Sequence, residues 1–229
     1  EYVCLPEHYT LVMKPHNMNF TDAAAVPLGG LNALHFMTKA KIKNGDKVLI
    51  NGAGGSIGTF AVQIAKTMGA EVTAVDSSIK EEMLYSIGAD HFLDYTKEDF
   101  SNNTAGYDVI FSMVASTPYQ DTIRTLKPGG RYLMANPRLT DMLKASLTSL
   151  MTDKSVMFAF AGEKEEELNT LREMIETGKI SSVVDRVYSF EQIAEAHQRV
   201  ETEQRLGTVV VTAKFIGEAH DVSVNSGVM

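Results

Sequence analysis

The stretch Val48-Leu-Ile-Asn-Gly-Ala-Gly-Gly-Ser-Ile-Gly58 constrains this chain more than any other. An apolar run enters a turn made almost wholly of glycine and alanine. Phe60-Ala-Val-Gln-Ile-Ala-Lys66 leaves it with apolar residues at helical spacing. A strand that turns straight into a helix through small residues leaves the first backbone amides of that helix open to an anion. The spacing Ala53-x-Gly55-x-x-Gly58 is an alanine-first form of the dinucleotide fingerprint. A side chain at Gly55 would block the approach of a pyrophosphate, and Gly58 allows the helix to lie close on the strand. Asp76 follows the next β-branched run, Glu71-Val-Thr-Ala-Val75. An acid there can accept hydrogen bonds from adenosine ribose hydroxyls, which leans the cofactor toward NAD. It would repel the extra phosphate of NADP. Ser77, Ser78 and Lys80 could hold that phosphate instead, so NAD and NADP both stand.

The rest of the chain repeats the same alternation. Short apolar runs at His91–Leu93, Asp108–Ser112, Arg131–Ala135 and Val156–Phe160 are separated by helical segments such as Lys80–Ile87 and Tyr119–Leu126. Apolar strands bounded by glycine and alternating with helices predict an α/β fold with a doubly wound parallel sheet buried on both faces. Before it, Thr21-Asp22 could cap a short helix over Ala23–Ala25, broken at Pro27, with a second helix over Leu31–Lys39. After it come a helix over Glu165–Thr177, a strand over Val183–Tyr188, a capping box Ser189-Phe-Glu-Gln192 and a last strand over Thr208–Thr212. Lys214–Met229 has no period and is expected to be a loose tail.

Composition bounds the partners. In 229 residues, 44% are apolar, enough for one sizeable core. A net charge of −8 argues against nucleic acid. No apolar run approaches the roughly 20 residues of a membrane span, and Glu1–Pro15 has no signal-peptide pattern. Cys4 is the one cysteine, so no internal disulfide forms, and a reduced, cytoplasmic protein is expected.

A series of segments in fixed order resembles the medium-chain dehydrogenase/reductase superfamily, in its zinc-free quinone-oxidoreductase-like branch. They are Ala23–Leu34, Val48–Gly58, Ala61–Lys66, Ser86–Asp90, Asp94-Tyr95, Leu126–Gly130 and Gly207–Val211. The resemblance covers about residues 1–213. It implies a Rossmann domain over 21–180, with remnants of a GroES-like catalytic domain over 1–20 and 181–213 and the tail at 214–229. Most of that catalytic domain has no counterpart here, so the chain is expected to be a fragment or a naturally shortened relative.

The resemblance also implies roles. Ala53, Gly55, Ser56, Ile57 and Gly58 would hold pyrophosphate. Asp76 and Lys80 would meet the adenosine ribose, with Tyr95 near the adenosine end. Met113 and Val114 would pack on adenine or ribose. Met134, Ala135, Asn136, Phe158 and Ala159 would line the nicotinamide side. Asn32 stands where relatives commonly have Thr near the nicotinamide, and Thr208 where Lys often follows the glycine. The position of a metal-ligating Cys in zinc-dependent relatives falls near Leu28, which cannot ligate. His8, His16, His35, His91, His197 and His220 show no close ligand spacing, so no zinc is expected. The implied chemistry is hydride transfer from NAD(P)H to a quinone, carbonyl or enone. No proton donor is assigned; Tyr119, Tyr132 and Tyr188 are conceivable. A homodimer through the Val156–Phe160 sheet edge is also implied. Two rivals remain at this point. An S-adenosylmethionine-dependent methyltransferase shares the Gly-rich turn, the acid after the second strand and a Leu-Lys-Pro-Gly-Gly segment. A non-catalytic nucleotide-binding module needs no substrate site.

Overall fold

The computed structural model describes residues 4–6, 9–102, 106–158 and 164–213. Two helices come first, α1 (Phe20–Ala24) and α2 (Val26–Ala40). The sheet strands and helices then alternate: β1 (Lys47–Asn51), α3 (Ser56–Thr67), β2 (Glu71–Asp76), α4 (Glu81–Ser86), β3 (His91–Asp94), β4 (Tyr107–Ser112), α5 (Tyr119–Thr125), β5 (Leu126–Met134), α6 (Leu139–Met151), β6 (Ser155–Phe158) and α7 (Glu165–Glu176). A second unit of β7 (Val184–Ser189), α8 (Ile193–Glu201) and β8 (Thr208–Thr212) follows.

The six strands β1–β6 form one parallel sheet in the order β3-β2-β1-β4-β5-β6, the order of a Rossmann fold. The predicted doubly wound α/β class is therefore what the chain adopts. The two inner strands are buried on both faces, as Val48, Leu49, Ile50, Val109, Ile110 and Phe111 show. One core side has Phe36 of α2 against Phe111, with ring centroids 4.8 Å apart. The other holds Leu49, Ile110, Tyr119 and Tyr132. At full burial each such aliphatic side chain contributes about 1.5–3 kcal/mol.

The register fixes where a ligand can sit. Leu93, Val75, Asn51, Ser112, Met134 and Phe158 pair successively across the sheet in a single row. The described loops that follow that row leave from the carboxyl edge, and the order reverses between β1 and β4. That is the crevice in which open α/β sheets bind ligands.

Several local expectations change. The cap of α1 is Asn19, whose Oδ1 accepts from the Asp22 amide at 2.8 Å, not Thr21 or Asp22. Pro27 opens α2 rather than ending a helix, because proline is tolerated in a first turn whose amides have no partner. Gly29 and Gly30 then lie inside α2. A Cβ on Gly29 would run into Ser56, and one on Gly30 would touch Leu171. These small residues let α2 lie close on α3 and α7. β5 begins at Leu126, ahead of the predicted Arg131. Its register slips between the Tyr107 and Val109 pairings, so Lys127–Gly130 is a bulge in the strand rather than a stop before it. α6 has no counterpart among the sequence expectations. The end of the predicted sixth strand, Phe160, and the tail at 214–229 fall outside the described residues.

β7 and β8 pair in parallel, apart from the main sheet. The predicted capping box at Ser189 and Gln192 is present. Among the described residues, hydrogen bonds join this unit and the segment before it to the Rossmann core at Gln63 and at Gly54. Gln63 of α3 accepts from the Ser181 amide at 2.8 Å and donates to the Ser181 carbonyl at 2.9 Å. The Gly207 amide donates to the Gly54 carbonyl at 2.9 Å. At the other end of the chain, Asn17 donates to the Ile175 carbonyl at 2.9 Å, which holds the N-terminal segment on α7. Among the described residues no helix is long and apolar enough to cross a membrane.

Candidate functional site

The Gly-rich turn sits between β1 and α3, as predicted. Its outer end is suspended from β2, since the Gly52 and Ala53 amides donate to the Val75 carbonyl at 3.0 and 3.1 Å. Gly52 has φ +88°, a left-handed conformation that disfavours any side chain. Gly55 is the cap residue of α3 and offers no side chain to the first helical amides. Those of Ser56, Ile57 and Gly58 have no partner within the helix, and they collect the positive end of its dipole.

The glycines differ in what surrounds them. A Cβ on Gly58 would collide with the carbonyl oxygens of Gly52 and Ala53, so Gly58 is needed for packing. A Cβ on Gly55 would meet only the Gly52 carbonyl at 3.7 Å and Arg205 Nη2 at 3.8 Å. The space over Gly55 is thus an open cradle beside bare amides. A pyrophosphate group fits such a cradle.

Asp76 and Lys80 are both at the turn, but they engage each other and the backbone. Asp76 Oδ2 accepts from the Gly54 amide at 2.8 Å, and Oδ1 accepts from the Ser77 amide at 2.8 Å. Lys80 Nζ lies 2.8 Å from Asp76 Oδ1, with both side chains buried. The Lys80 stem covers Gly54, leaving no room for a Cβ there. A carboxylate has about four acceptor positions, and three of these are occupied. The picture of Asp76 as a free ribose acceptor therefore needs correction: in this arrangement it is chiefly a brace for the turn.

The remaining predicted residues separate into two groups. Met113 and Val114 lie at the turn, their side chains facing Gly52 across 3.4–3.7 Å of a Cβ position. The loop that carries them is tied down by a buried network: Asn51 Nδ2 donates to Thr117 Oγ1 at 2.9 Å and to Ser112 Oγ at 3.3 Å. Tyr95 follows β3, its amide donating to the Asp76 carbonyl at 3.3 Å, and its ring is 58% exposed. Ala135 and exposed Asn136 leave the end of β5, and Phe158 ends β6 with 39% exposure. Met134 does not line the crevice: it is 4% exposed and packs with Leu49, Val75 and Ile110. Both faces of a parallel sheet are covered, so the last residue of an inner strand belongs to the core. Asn32 donates to the Leu28 carbonyl at 2.8 Å, a bond within its own helix. Ala159 lies outside the described residues.

Two of the conceivable proton donors are core groups. Tyr119 OH donates to Thr148 Oγ1 at 2.8 Å. Burial pushes the Tyr132 phenol up to about 12. A shallow depression of about 350 Å3 near Lys47, Glu71 and His91 starts at the opposite end of β1 and shares no residue with the turn. Sequence reasoning missed Asn51, Ser112 and Thr117, whose polar side chains inside apolar runs were the available signal. It also missed Arg205.

Comparison with known proteins agrees with this architecture. Residues 87–211 match the zinc-binding dehydrogenase family, and residues 23–120 match the alanine dehydrogenase/PNT C-terminal domain. The chain belongs to the zinc-binding dehydrogenase family, within the medium-chain dehydrogenase/reductase superfamily. It is 31% identical to the NADPH-dependent alkenal/one oxidoreductase, chloroplastic, of Arabidopsis thaliana, over 92% of this chain and 52% of that protein. It is 30% identical to the 2-methylene-furan-3-one reductase of Solanum lycopersicum, over 92% of this chain and 51% of that protein. The structure of the quinone oxidoreductase from Coxiella burnetii superposes with a TM-score of 0.81 at 25% identity, covering 89% of this chain and 64% of that one. The chain spans about half the length of the curated relatives it matches.

Proposed function

We propose that this chain is the dinucleotide-binding part of an NAD(P)H-dependent oxidoreductase that reduces a quinone, carbonyl or enone without zinc. The observation that carries the reading is the open space over Gly55 at the mouth of α3. Ser56, Ile57 and Gly58 would hold the pyrophosphate through their backbone amides, with Ala53 and Gly55 keeping the turn small enough for it to approach. Met113, Val114 and Tyr95 would flank the adenosine half. Ala135 and Asn136 after β5, Phe158 at the end of β6, Ala159 next in sequence and Asn32 of α2 would serve the nicotinamide half. The bound nicotinamide supplies the hydride. The protein's part is to orient the ring and to limit water around it. Tyr119 and Tyr132 are left out of proton transfer by their core positions.

The lean toward NAD weakens once Lys80 is seen to offset the Asp76 charge. The reading therefore includes NADP, in keeping with the NADPH dependence named for the Arabidopsis relative. Calorimetric titration with NADH and NADPH tests it, and absence of heat with both, in folded protein, would reject it. Turnover with a panel of quinones and enones then separates an enzyme from a module that only binds nucleotide. The zinc-free part rests on Leu28 and on the scattered histidines; stoichiometric zinc in a metal assay would overturn it. Residues 1–20 and 181–213 are read as parts of a GroES-like catalytic domain, supported by the separate β7–β8 pair. A homodimer is part of the proposal, because β6 is an edge strand and α6 beside it exposes Leu139, Leu143, Leu147 and Leu150. A reducing, cytoplasmic setting is the remaining part, in keeping with a single, exposed Cys4.

A further inference from the structure

We infer that Arg205, from the segment between α8 and β8, is a pyrophosphate-binding residue that completes the turn from the far end of the chain. This rests on the dinucleotide reading above and names a contact that the fingerprint does not contain. Arg205 Nη2 stands 3.8 Å from the position a Cβ on Gly55 would take, so it borders the cradle itself.

The backbone around Arg205 is clamped on every side. Arg199 Nη2 donates to the Gln204 carbonyl at 3.0 Å. The Leu206 amide donates to Asp185 Oδ1 at 3.1 Å, and the same carboxylate takes a two-pronged bond from Arg199 at 2.8 and 2.9 Å. The Gly207 amide then donates to the Gly54 carbonyl at 2.9 Å. Gly207 has φ +81°, and a Cβ there would collide with the Val183 carbonyl, so the chain can make this approach only through glycine.

The side chain is equally committed. Nη1 donates to the Val200 carbonyl at 3.1 Å. Nη2 has no hydrogen-bond partner among the described residues. The Arg205 side chain is 19% exposed, and the Glu203 carboxylate, 3.9 Å from Nη1, is mostly in solvent. A half-buried arginine whose Nη2 has no partner among the described residues, held beside bare helical amides, is arranged for an anion with two or more oxygens. The fixed orientation means that little side-chain order has to be gained on binding. Thr208 stands where relatives often carry a lysine after the glycine, and Arg205 brings a positive charge to the same turn by another route.

The test uses R205Q and R205M; the methionine keeps an apolar stem where the arginine stem is packed. Dissociation constants are measured for NADH, NADPH, ADP-ribose and adenosine. ADP-ribose carries the pyrophosphate without nicotinamide, and adenosine carries no phosphate. Losing one charge-assisted contact should weaken the two dinucleotides and ADP-ribose about ten- to hundredfold. Adenosine binding should stay within twofold of wild type, and the salt dependence of ADP-ribose binding should flatten. Unchanged ADP-ribose affinity in either variant overturns the inference. So does an equal loss for adenosine, which would mark Arg205 as structural. Wild-type protein that binds neither dinucleotide fails earlier, and it takes the nucleotide reading with it.

Discussion

The Asp76 carboxylate holds the Gly54 amide at 2.8 Å, so the acid at the end of β2 fixes the turn at the end of β1. The same group neutralises buried Lys80. Removing it leaves an orphaned amide and an unpaired ammonium. D76A should cost about 3–5 kcal/mol of stability. K80M leaves the acid its two amide donors and should cost less. In the D76A background, K80M should recover part of the loss, since no charge is then stranded. Urea unfolding of the four proteins checks the sign, and additive losses would contradict the pairing.

Two glycines of one motif should fail in different ways. G55A places a methyl group where only ordinary contacts wait, at a backbone φ of −87° that alanine adopts freely. Its fold should survive, with stability within about 1 kcal/mol of wild type, because the reduced freedom of the unfolded chain is set against alanine's weakness as a helix cap. Its dinucleotide affinity should drop at least tenfold. G58A drives a methyl into two carbonyl oxygens and should destabilise by about 1–3 kcal/mol or more. Thermal melts and NADH titrations of the pair separate the two effects.

Tyr132 gives the molecule an alkaline limb. Its phenol ionises near 10 in the unfolded chain and is pushed up to about 12 by burial in the fold. A raised folded value means that the stabilisation is complete below pH 10 and is lost as pH climbs toward 12, on the order of 2 kcal/mol. Y132F should remove that pH dependence while leaving turnover at neutral pH unchanged. Stability measured from pH 8 to 12 checks the first part and steady-state kinetics the second.

The α6 stripe allows a direct test of self-association. Exposed Leu143 and Leu147 lie one turn apart beside the open β6 edge. If that face joins two copies, L143E with L147E should convert a sedimenting dimer into a monomer with an unchanged melt at low concentration. A wild-type monomer at all concentrations removes the proposal.

Much of the sheet was legible because each strand is a short apolar run closed by glycine or a polar residue. The parallel pairing follows from the helices between the runs. α6 escaped because its leucine stripe faces outward and only Asp141 and Ala145 are buried, so its pattern points away from any core. Asn19 was passed over because Thr21 and Asp22 are equally good caps on composition, and only backbone angles choose among them. At the site, the turn could be read because its chemistry is local. Met134 was misjudged because strand ends look alike in sequence whether they point into a crevice or into the core. Arg205 is an unremarkable basic residue until the fold carries it to Gly55, far away along the chain.

The bond between Gly207 and Gly54 sets an order of events during synthesis. All six strands of the large sheet have left the ribosome well before residue 207 does. A nascent chain halted near residue 200 would thus own the turn at Gly55 without Arg205 or Gly207 beside it, and its grip on a dinucleotide would be weaker than that of the longer chain.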